Sequence, residues 1–413
     1  MTFRTRATVS ALAIVASGGA AFADCGIESG SVRILSNDFE ALHVIADAAE
    51  TCATDGVEVT RNQTTEHKDI QVPALTTDPA TYTVAIVATN SVVPLLNDDL
   101  IRPLDEYVEA YGQQLLPSQL IRVNGQIMAI AFMANAQHLF YREDILEENG
   151  IEVPTTYPEL LAAAETLRAN GVMESPLAAN FKPGWDLAAE FVNTYLGTGA
   201  EFFAPGSAEL AIENEDGIAT LETLKSMTEY MSPDYVTYDT NAVKPVWDAG
   251  EIALATSWGS RAGAYIDAAE TPDPAISETT KFAAMPALTE GGLPAAALWW
   301  DGFTIAKNIS DEDAEASFRA MMVGISPEMM KENPTAAVWL IDGYEPTEAA
   351  TGVVADLQGG ARPYPMVPYM GLLHTALGDN LAEYLQGNES AEQALADVSA
   401  AYATAAREAG YLN

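Results

Sequence analysis

Apolar and polar positions run along this chain in short alternating blocks that predict an α/β protein. Val32-Arg33-Ile34-Leu35 reads as a strand. Ser36-Asn37-Asp38 follows as a turn or cap, and Phe39, Leu42, Ile45, Ala46, Ala49 and Ala53 then recur at helical spacing. Val57-Glu58-Val59 predicts a second strand, and the near-continuous apolar run Tyr82 to Ala88 a buried parallel one. Asn124-Gly125-Gln126 is a hairpin signal leading into the strand Ile127 to Phe132, with a further apolar run at Leu139-Phe140-Tyr141. Thr156 and Glu159 form a capping box ahead of a helix that ends at Asn170-Gly171. Ile218, Leu221, Leu224 and Met227 mark another helix, and Ile252 to Thr256 another strand. Ser310 and Ser390 cap two later helices. Strand, polar loop, helix, strand is the order of an α/β domain, in which ligands sit at the carboxyl ends of strands.

Chemistry concentrates at those ends. Asn37 and Asp38 follow the first strand, Glu66 the second, Asn90 the third and Trp258 a later one. The densest stretch is Leu298-Trp299-Trp300-Asp301-Gly302-Phe303. Two tryptophans beside an acid suit a ligand wall, with flat faces for an apolar ring surface and a carboxylate for its polar edge. They suit equally a core strand that turns at Asp-Gly. Asn37 and Asp38 have the same two readings, as rim or as helix cap.

At 413 residues two domains are expected, and nearly half the residues are apolar. The first 23 residues read as a secretory signal: Arg4 and Arg6, the apolar run Ala7 to Ala16, and an A-x-A site at Ala21-Phe22-Ala23. Asp24 before Cys25 argues against lipid attachment. Removing the signal takes the formal charge from −40 to −42, which speaks against nucleic acid and anionic membranes as partners. The two cysteines, Cys25 and Cys52, are expected to pair in an exported chain, although two free thiols would fit the count as well. His43, His67, His138 and His374 are scattered, and no G-x-S-x-G, H-E-x-x-H or Walker loop occurs. Neither a metal nor a cofactor is expected, and no catalytic residue is assigned.

Taken in order, the blocks resemble a known family. Asn124 to Ile130 with Leu139 to Asp144, Gly150-Ile151-Glu152-Val153-Pro154 with Thr156 to Leu160, Trp247 to Leu254, Asp301 to Ile305 with Asn308, and Asn388 to Leu395 resemble successive signatures of the maltose-binding-protein-like (extracellular family 1) solute-binding proteins of carbohydrate ABC importers. The likeness covers nearly all of the chain after the signal. Two stretches depart from the usual pattern, Tyr82-Thr83-Val84 and the Leu-Trp-Trp-Asp lead into Gly302.

The resemblance implies a two-lobed periplasmic-binding-protein fold of type II. Each lobe would be a mostly parallel sheet flanked by helices, with the ligand in the cleft between them. Lobe 1 would hold 24–131 and 287–332, and lobe 2 132–286 and 333–413, with crossings near 132, 286 and 332. The implied function is periplasmic binding of a sugar or polyol and its delivery to membrane permease subunits by lobe closure, by a monomer that is not an enzyme. By position, Asn37, Asp38, Glu66, Asn90, Asn135, Trp258, Trp299, Trp300, Asp301 and Arg362 are the candidate ligand contacts, with Trp185 and Tyr364 behind them. The tryptophans would stack, the carboxylates and amides would meet hydroxyls, and Arg362 would donate in a bidentate manner. One of Trp299 and Trp300 is expected to face the ligand and the other, pointing the opposite way along a strand, to pack the lobe. Two alternatives stay open from the residues: an exported carbohydrate-active hydrolase, and a ligand-presenting receptor for a membrane sensor.

Overall fold

The computed structural model describes residues 25–413, so the expected signal segment 1–23 lies outside the described residues. Twelve strands form two sheets. They are β1 (Gly30–Ser36), β2 (Val57–Gln63), β3 (Val84–Ala88), β4 (Leu120–Val123), β5 (Gln126–Asn135), β6 (Gln137–Arg142), β7 (Leu177–Ala178), β8 (Leu254–Trp258), β9 (Thr280–Ala283), β10 (Ala297–Ile305), β11 (Val338–Trp339) and β12 (Arg362–Pro363). The first sheet runs β11-β5-β10-β3-β1-β2, with β4 also on β5 and β12 also on β10; the second runs β7-β8-β6-β9.

Both sheets are mixed, which corrects the expectation of mostly parallel ones. In the first, β1 is parallel to β2 and β3, but β10 pairs antiparallel with β3 and β5. In the second, only β7–β8 is parallel. The reason is connectivity. β4 and β5 form the tight hairpin that Asn124-Gly125 announced, both residues at positive φ (52° and 86°). The chain then leaves one sheet for the other with a single residue, Ala136, between β5 and β6. Parallel neighbours need a long crossover that carries the chain back along the sheet, whereas a tight hairpin sets its two strands antiparallel.

The central strand β3 is buried on both faces. Val84 and Ile86 point into one apolar cluster with Phe303 and Phe318, and Ala85 and Val87 into another with Leu75 and Leu95. That two-residue alternation with no polar face is why Tyr82 to Ala88 reads as an unbroken apolar run. A third cluster fills the second lobe, where helices Trp185–Gly197, Met370–Asn380 and Ala391–Glu408 pack with the second sheet. The predicted caps form. The Glu159 amide donates to Thr156 Oγ1 at 3.3 Å, the Thr156 amide to Glu159 Oε2 at 3.1 Å, and Ser310 and Ser390 accept from the amides of Asp313 and Gln393.

Cys25 and Cys52 are bonded, tying the start of the described chain to the end of helix Glu40–Glu50. Closing a loop of 27 residues removes about 3–4 kcal/mol of unfolded-state entropy in the chain-entropy model. Replacing both cysteines with Ser is therefore expected to lower the melting temperature by several degrees. Calorimetry of both forms under non-reducing conditions checks this, and equal melting temperatures would refute it.

The cleft between the sheets as a candidate ligand site

A cleft of about 440 Å³ opens where the carboxyl ends of β1 and β8 approach β10. A larger hollow of about 800 Å³ lies on the outer flank of the first lobe, between the sides of helices Glu40–Glu50 and Asp311–Gly324. It lies away from the strand ends that carry Trp258, Trp299 and Asp301, so the smaller cleft is the better candidate.

Strand periodicity decides which parts of the Leu298–Phe303 stretch reach the cleft. On β10, Trp299, Asp301, Phe303 and Ile305 share one face. Trp299 and Asp301 line the cleft, whereas Phe303 and Ile305 continue that face into the first lobe's core. Trp300 points the other way and packs against the apolar cluster that holds Leu75 and Leu95. Trp299 is thus the cleft tryptophan and Trp300 the packing one. A register shift between Asp301 and Gly302 leaves Phe132 of β5 unpaired, the kind of bulge that re-aims side chains beside a site.

Three indoles make one wall. Trp299 lies 5.7 Å from Trp258 and 5.9 Å from Trp185, and Trp185 lies 5.7 Å from Trp258. Tyr364 backs Trp299 at 4.0 Å between centroids, and its hydroxyl meets His374 Nδ1 at 3.1 Å. Trp185 sits at the first turn of its helix, after Gly184 at φ 99°, a backbone angle that side chains rarely adopt.

Two cations cross the cleft in opposite directions. Lys68, from helix His67–Thr76 of the first lobe, places Nζ 3.8 Å over the Trp185 ring of the second. Arg261, just after β8 in the second lobe, lies 5.0 Å from the Phe39 ring of the first. Between them, Asp301 makes no hydrogen bond to another described residue. Burial pushes its carboxyl up to about 7, although the charges of Lys68 and Arg261 pull it down. Burial pushes Lys68 down to about 8 against the pull of Asp301, Asp186 and Asp69, and also lowers Arg261. Asp186 is raised, again by burial, while accepting from Thr240 Oγ1 at 2.8 Å.

Of the candidates read from sequence, Asn37, Asn135, Trp185, Trp258, Trp299 and Asp301 line the cleft. Asn135 is already engaged: its amide donates to Ser260 Oγ and accepts from the Ser260 amide, stitching β5 to the segment after β8. The other candidates lie elsewhere. Asp38 turns outward to His43 at 2.7 Å, and Glu66 is exposed at the start of its helix. Asn90 is half-buried away from the lining, and Trp300 packs the first lobe. Arg362 pairs with Glu201 and donates to the Ala200 carbonyl, because its loop folds back on the second lobe. Tyr364 is behind the wall, not on it. Sequence reading passed over Phe39, Lys68, Asp186 and Arg261. Phe39 closes the Ser36–Phe39 stretch after the first strand, but its helical spacing made it read as core. Arg261 had a usable one: the chain has only 19 Lys and Arg residues, and this one follows a strand end three residues after a tryptophan.

Comparison with known proteins settles the family. Residues 44–337 match the model of the bacterial extracellular solute-binding proteins. The chain belongs to that family. A curated relative from Deinococcus radiodurans, described as a probable ABC transporter-binding protein, is 23% identical over 266 residues, spanning 63% of this chain and 59% of the relative. The fold is that of the two-lobed sugar- and polyol-binding proteins. Maltose-bound MalE3 of T. maritima superposes with a TM-score of 0.78 at 18% identity, over 91% of this chain and 99% of that one. An Agrobacterium radiobacter K84 solute-binding protein in complex with ribitol gives 0.78 at 18%, over 91% and 98%. One from Agrobacterium vitis S4 with D-mannitol gives 0.77 at 16%, over 93% and 100%. These matches are binding proteins, not enzymes.

For this solute-binding protein, the buried Asp301 carboxyl has a cost that depends on pH. Its folded pKa of about 7 lies above the ordinary carboxylate value of 3.8, so folding disfavours its ionised form. The cost is absent below about pH 4, where the group is neutral folded and unfolded. It grows as pH rises towards 7 and persists above. Asp301→Asn should therefore raise the ligand-free melting temperature at pH 8 and leave it nearly unchanged at pH 4. A gain that is equal at both pH values would show that the carboxyl's ionisation is not its source.

Proposed function

We propose that this protein binds a sugar or polyol in the interlobe cleft and delivers it to the permease of an ABC importer. The observation that carries the reading is the wall of Trp185, Trp258 and Trp299 beside Asp301, Lys68 and Arg261, which make no hydrogen bond or ion pair to another described residue. Carbohydrates have apolar C–H faces that stack on indoles and hydroxyls that need donors and acceptors at their edges. The ligands named for the structural relatives are of this class.

In this reading residues 1–23 direct export, the protein acts as a periplasmic monomer, and no lipid anchors it. Lobe 1 would comprise 24–131 with 287–332, and lobe 2 132–286 with 333–413, except that β11 pairs with β5 and Ala336, Trp339 and Ile341 pack in the first core, which extends lobe 1 to about residue 341. Bending at the crossings closes the cleft on the solute, and the closed form is what the permease receives. Lys68 on Trp185 and Arg261 on Phe39 already bridge the lobes, so closure brings groups of both onto one ligand.

A thermal-shift screen over sugars and polyols tests the reading. Binding stabilises the folded state by mass action, and a ligand at 100 times its Kd adds about 2.7 kcal/mol. Failure of every carbohydrate and polyol to raise the melting temperature would overturn it, and so would turnover of a labelled oligosaccharide. Tryptophan fluorescence locates the site. The ligand-induced change should survive Trp300→Phe intact and be reduced in Trp299→Phe, where Trp185 and Trp258 still report.

A further inference from the structure

The cleft's cations are conspicuous in so acidic a protein. Residues 25–413 hold 17 Lys and Arg side chains, the 19 of the chain less Arg4 and Arg6, against 58 Asp and Glu, the 59 of the chain less Asp24. Eleven of the 17 form ion pairs: Arg33, Arg61, Arg102, Arg122, Arg142, Lys182, Lys244, Lys281, Lys307, Arg319 and Arg362. Arg168, Lys225 and Arg407 donate to backbone carbonyls. Three remain. Lys331 is exposed; Lys68 and Arg261 both line the cleft. Among the described residues neither of these two has an ion pair or a hydrogen bond, and each rests on an aromatic face that leaves its N–H groups free. Arg261 Nε is buried without an acceptor.

Neutral donors in the wall share this condition. The indole N–H groups of Trp185 and Trp299 are buried and without partners. On the acceptor side of the cleft the protein is nearly used up. Asp239 is paired with Lys182, Asp186 accepts from Thr240, and Asp69 is exposed. Of the cleft aspartates that are not exposed, Asp301 alone makes no hydrogen bond or ion pair to a described residue, and its burial favours taking a proton, which would make it a further donor; His67 Nδ1, also in the lining, is buried without a partner among the described residues. Arg261 Nε and the two indole N–H groups are buried donors without acceptors among the described residues, and Lys68 is half-buried beside them, so a ligand that brings acceptors relieves a cost. A hydroxyl brings a donor along with its two acceptor sites and relieves the imbalance only in part. A carboxylate brings two oxygens and no donor, and a planar guanidinium fork matches it. A cationic ligand fits poorly, since the Trp185 face is already covered by the Lys68 ammonium.

We propose that the solute is a carboxylated sugar, a uronic or aldonic acid, whose carboxylate is received between Arg261 of one lobe and Lys68 of the other. The inference rests on the cleft being a carbohydrate site. An anion held from both sides also draws the lobes together, so the group that specifies the ligand helps to close the protein on it.

Matched pairs test this. Calorimetric titration of the whole exported chain would compare D-glucuronate with D-glucose, D-galacturonate with D-galactose, and D-gluconate with D-sorbitol. The acid of at least one pair is expected to bind about 10-fold or more tightly than its neutral partner, and to weaken as salt is raised. Arg261→Ala should cost the acid about 100-fold and erase the preference. Lys68→Met, on the opposite lobe, should erode the preference independently, so poor folding of one variant does not spare the proposal. Neutral partners binding as tightly as their acids would overturn the carboxylate and leave carbohydrate binding standing. Binding by no member of any pair would overturn both. An acid preference retained in both variants would overturn the assignment to Arg261 and Lys68.

Discussion

Trp299→Ala is expected to weaken solute binding by about 100-fold and to lower the melting temperature by on the order of 10 °C. The two effects share a cause. Trp299 is 5% exposed, and its ring is the meeting point of Trp185, Trp258 and Tyr364. Truncating a packed aromatic of this size costs about 3–5 kcal/mol, and each kcal/mol lowers the melting temperature of a unit of about 150–250 residues by about 2–4 °C. The neighbouring indoles would tilt into the space, so the wall loses its flat face as well as one ring. A factor of 100 in Kd corresponds to about 2.7 kcal/mol, within the range for a central aromatic anchor. Calorimetric titration and a thermal melt on the same preparation check both. A variant that melts low but binds normally would place Trp299 in the core alone. Trp300→Ala is the control: it should destabilise through its packing in the first lobe while leaving affinity close to wild type.

Gly302→Ala is expected to be more damaging than its single methyl group suggests. A Cβ at Gly302 would stand 2.5 Å from the Ile130 carbonyl oxygen and 3.0 Å from Ala131 Cα. Both are backbone atoms of the paired strand β5, so no side chain can swing away. Relief requires β5 and β10 to separate in the middle of the first sheet, next to the bulge that sets Asp301. Overpacking of this sort costs about 1–3 kcal/mol or more. The expected result is a melting temperature lower by several degrees and a loss of solute affinity, because Asp301 and Trp299 ride on the displaced strand. Unchanged affinity together with reduced stability would separate the strand pairing from the aim of Asp301. A wild-type melt would show that the sheet accommodates the methyl group.

Much of the fold is legible in the sequence because its signals are local. The run Tyr82 to Ala88, the Asn124-Gly125 turn and the Thr156–Glu159 cap each depend on residues a few positions apart; the turn and the cap form as read, and the run forms a buried strand over Val84–Ala88, parallel to its neighbour on one side only. Sheet direction was not legible in this way. That β10 lies antiparallel between β3 and β5 depends on partners more than 160 residues away in the chain. The site is legible to a lesser degree. Position after a strand end found Asn37 and Trp258, and the Trp-Trp-Asp stretch found Trp299 and Asp301, but the strand-end rule also selected Asp38, Glu66 and Asn90, which do not line the cleft. Lys68 escaped notice because nothing near it in sequence shows that its ammonium will cover a tryptophan 117 positions later.

The opening tryptophans divide the two kinds of information. Alternation along a strand requires by itself that Trp299 and Trp300 face opposite ways. Composition and order by themselves determine an α/β chain with the signatures of a solute-binding family and two cysteines able to pair. Only the tertiary structure decided that Trp299 is the one that reaches the cleft, that Arg362 is spent on Glu201, and that Lys68 and Arg261 are left without partners. The physical reason is that facing and pairing are properties of surfaces. They are settled when distant segments are brought within a few ångströms and burial removes the water that would otherwise satisfy every charge alike.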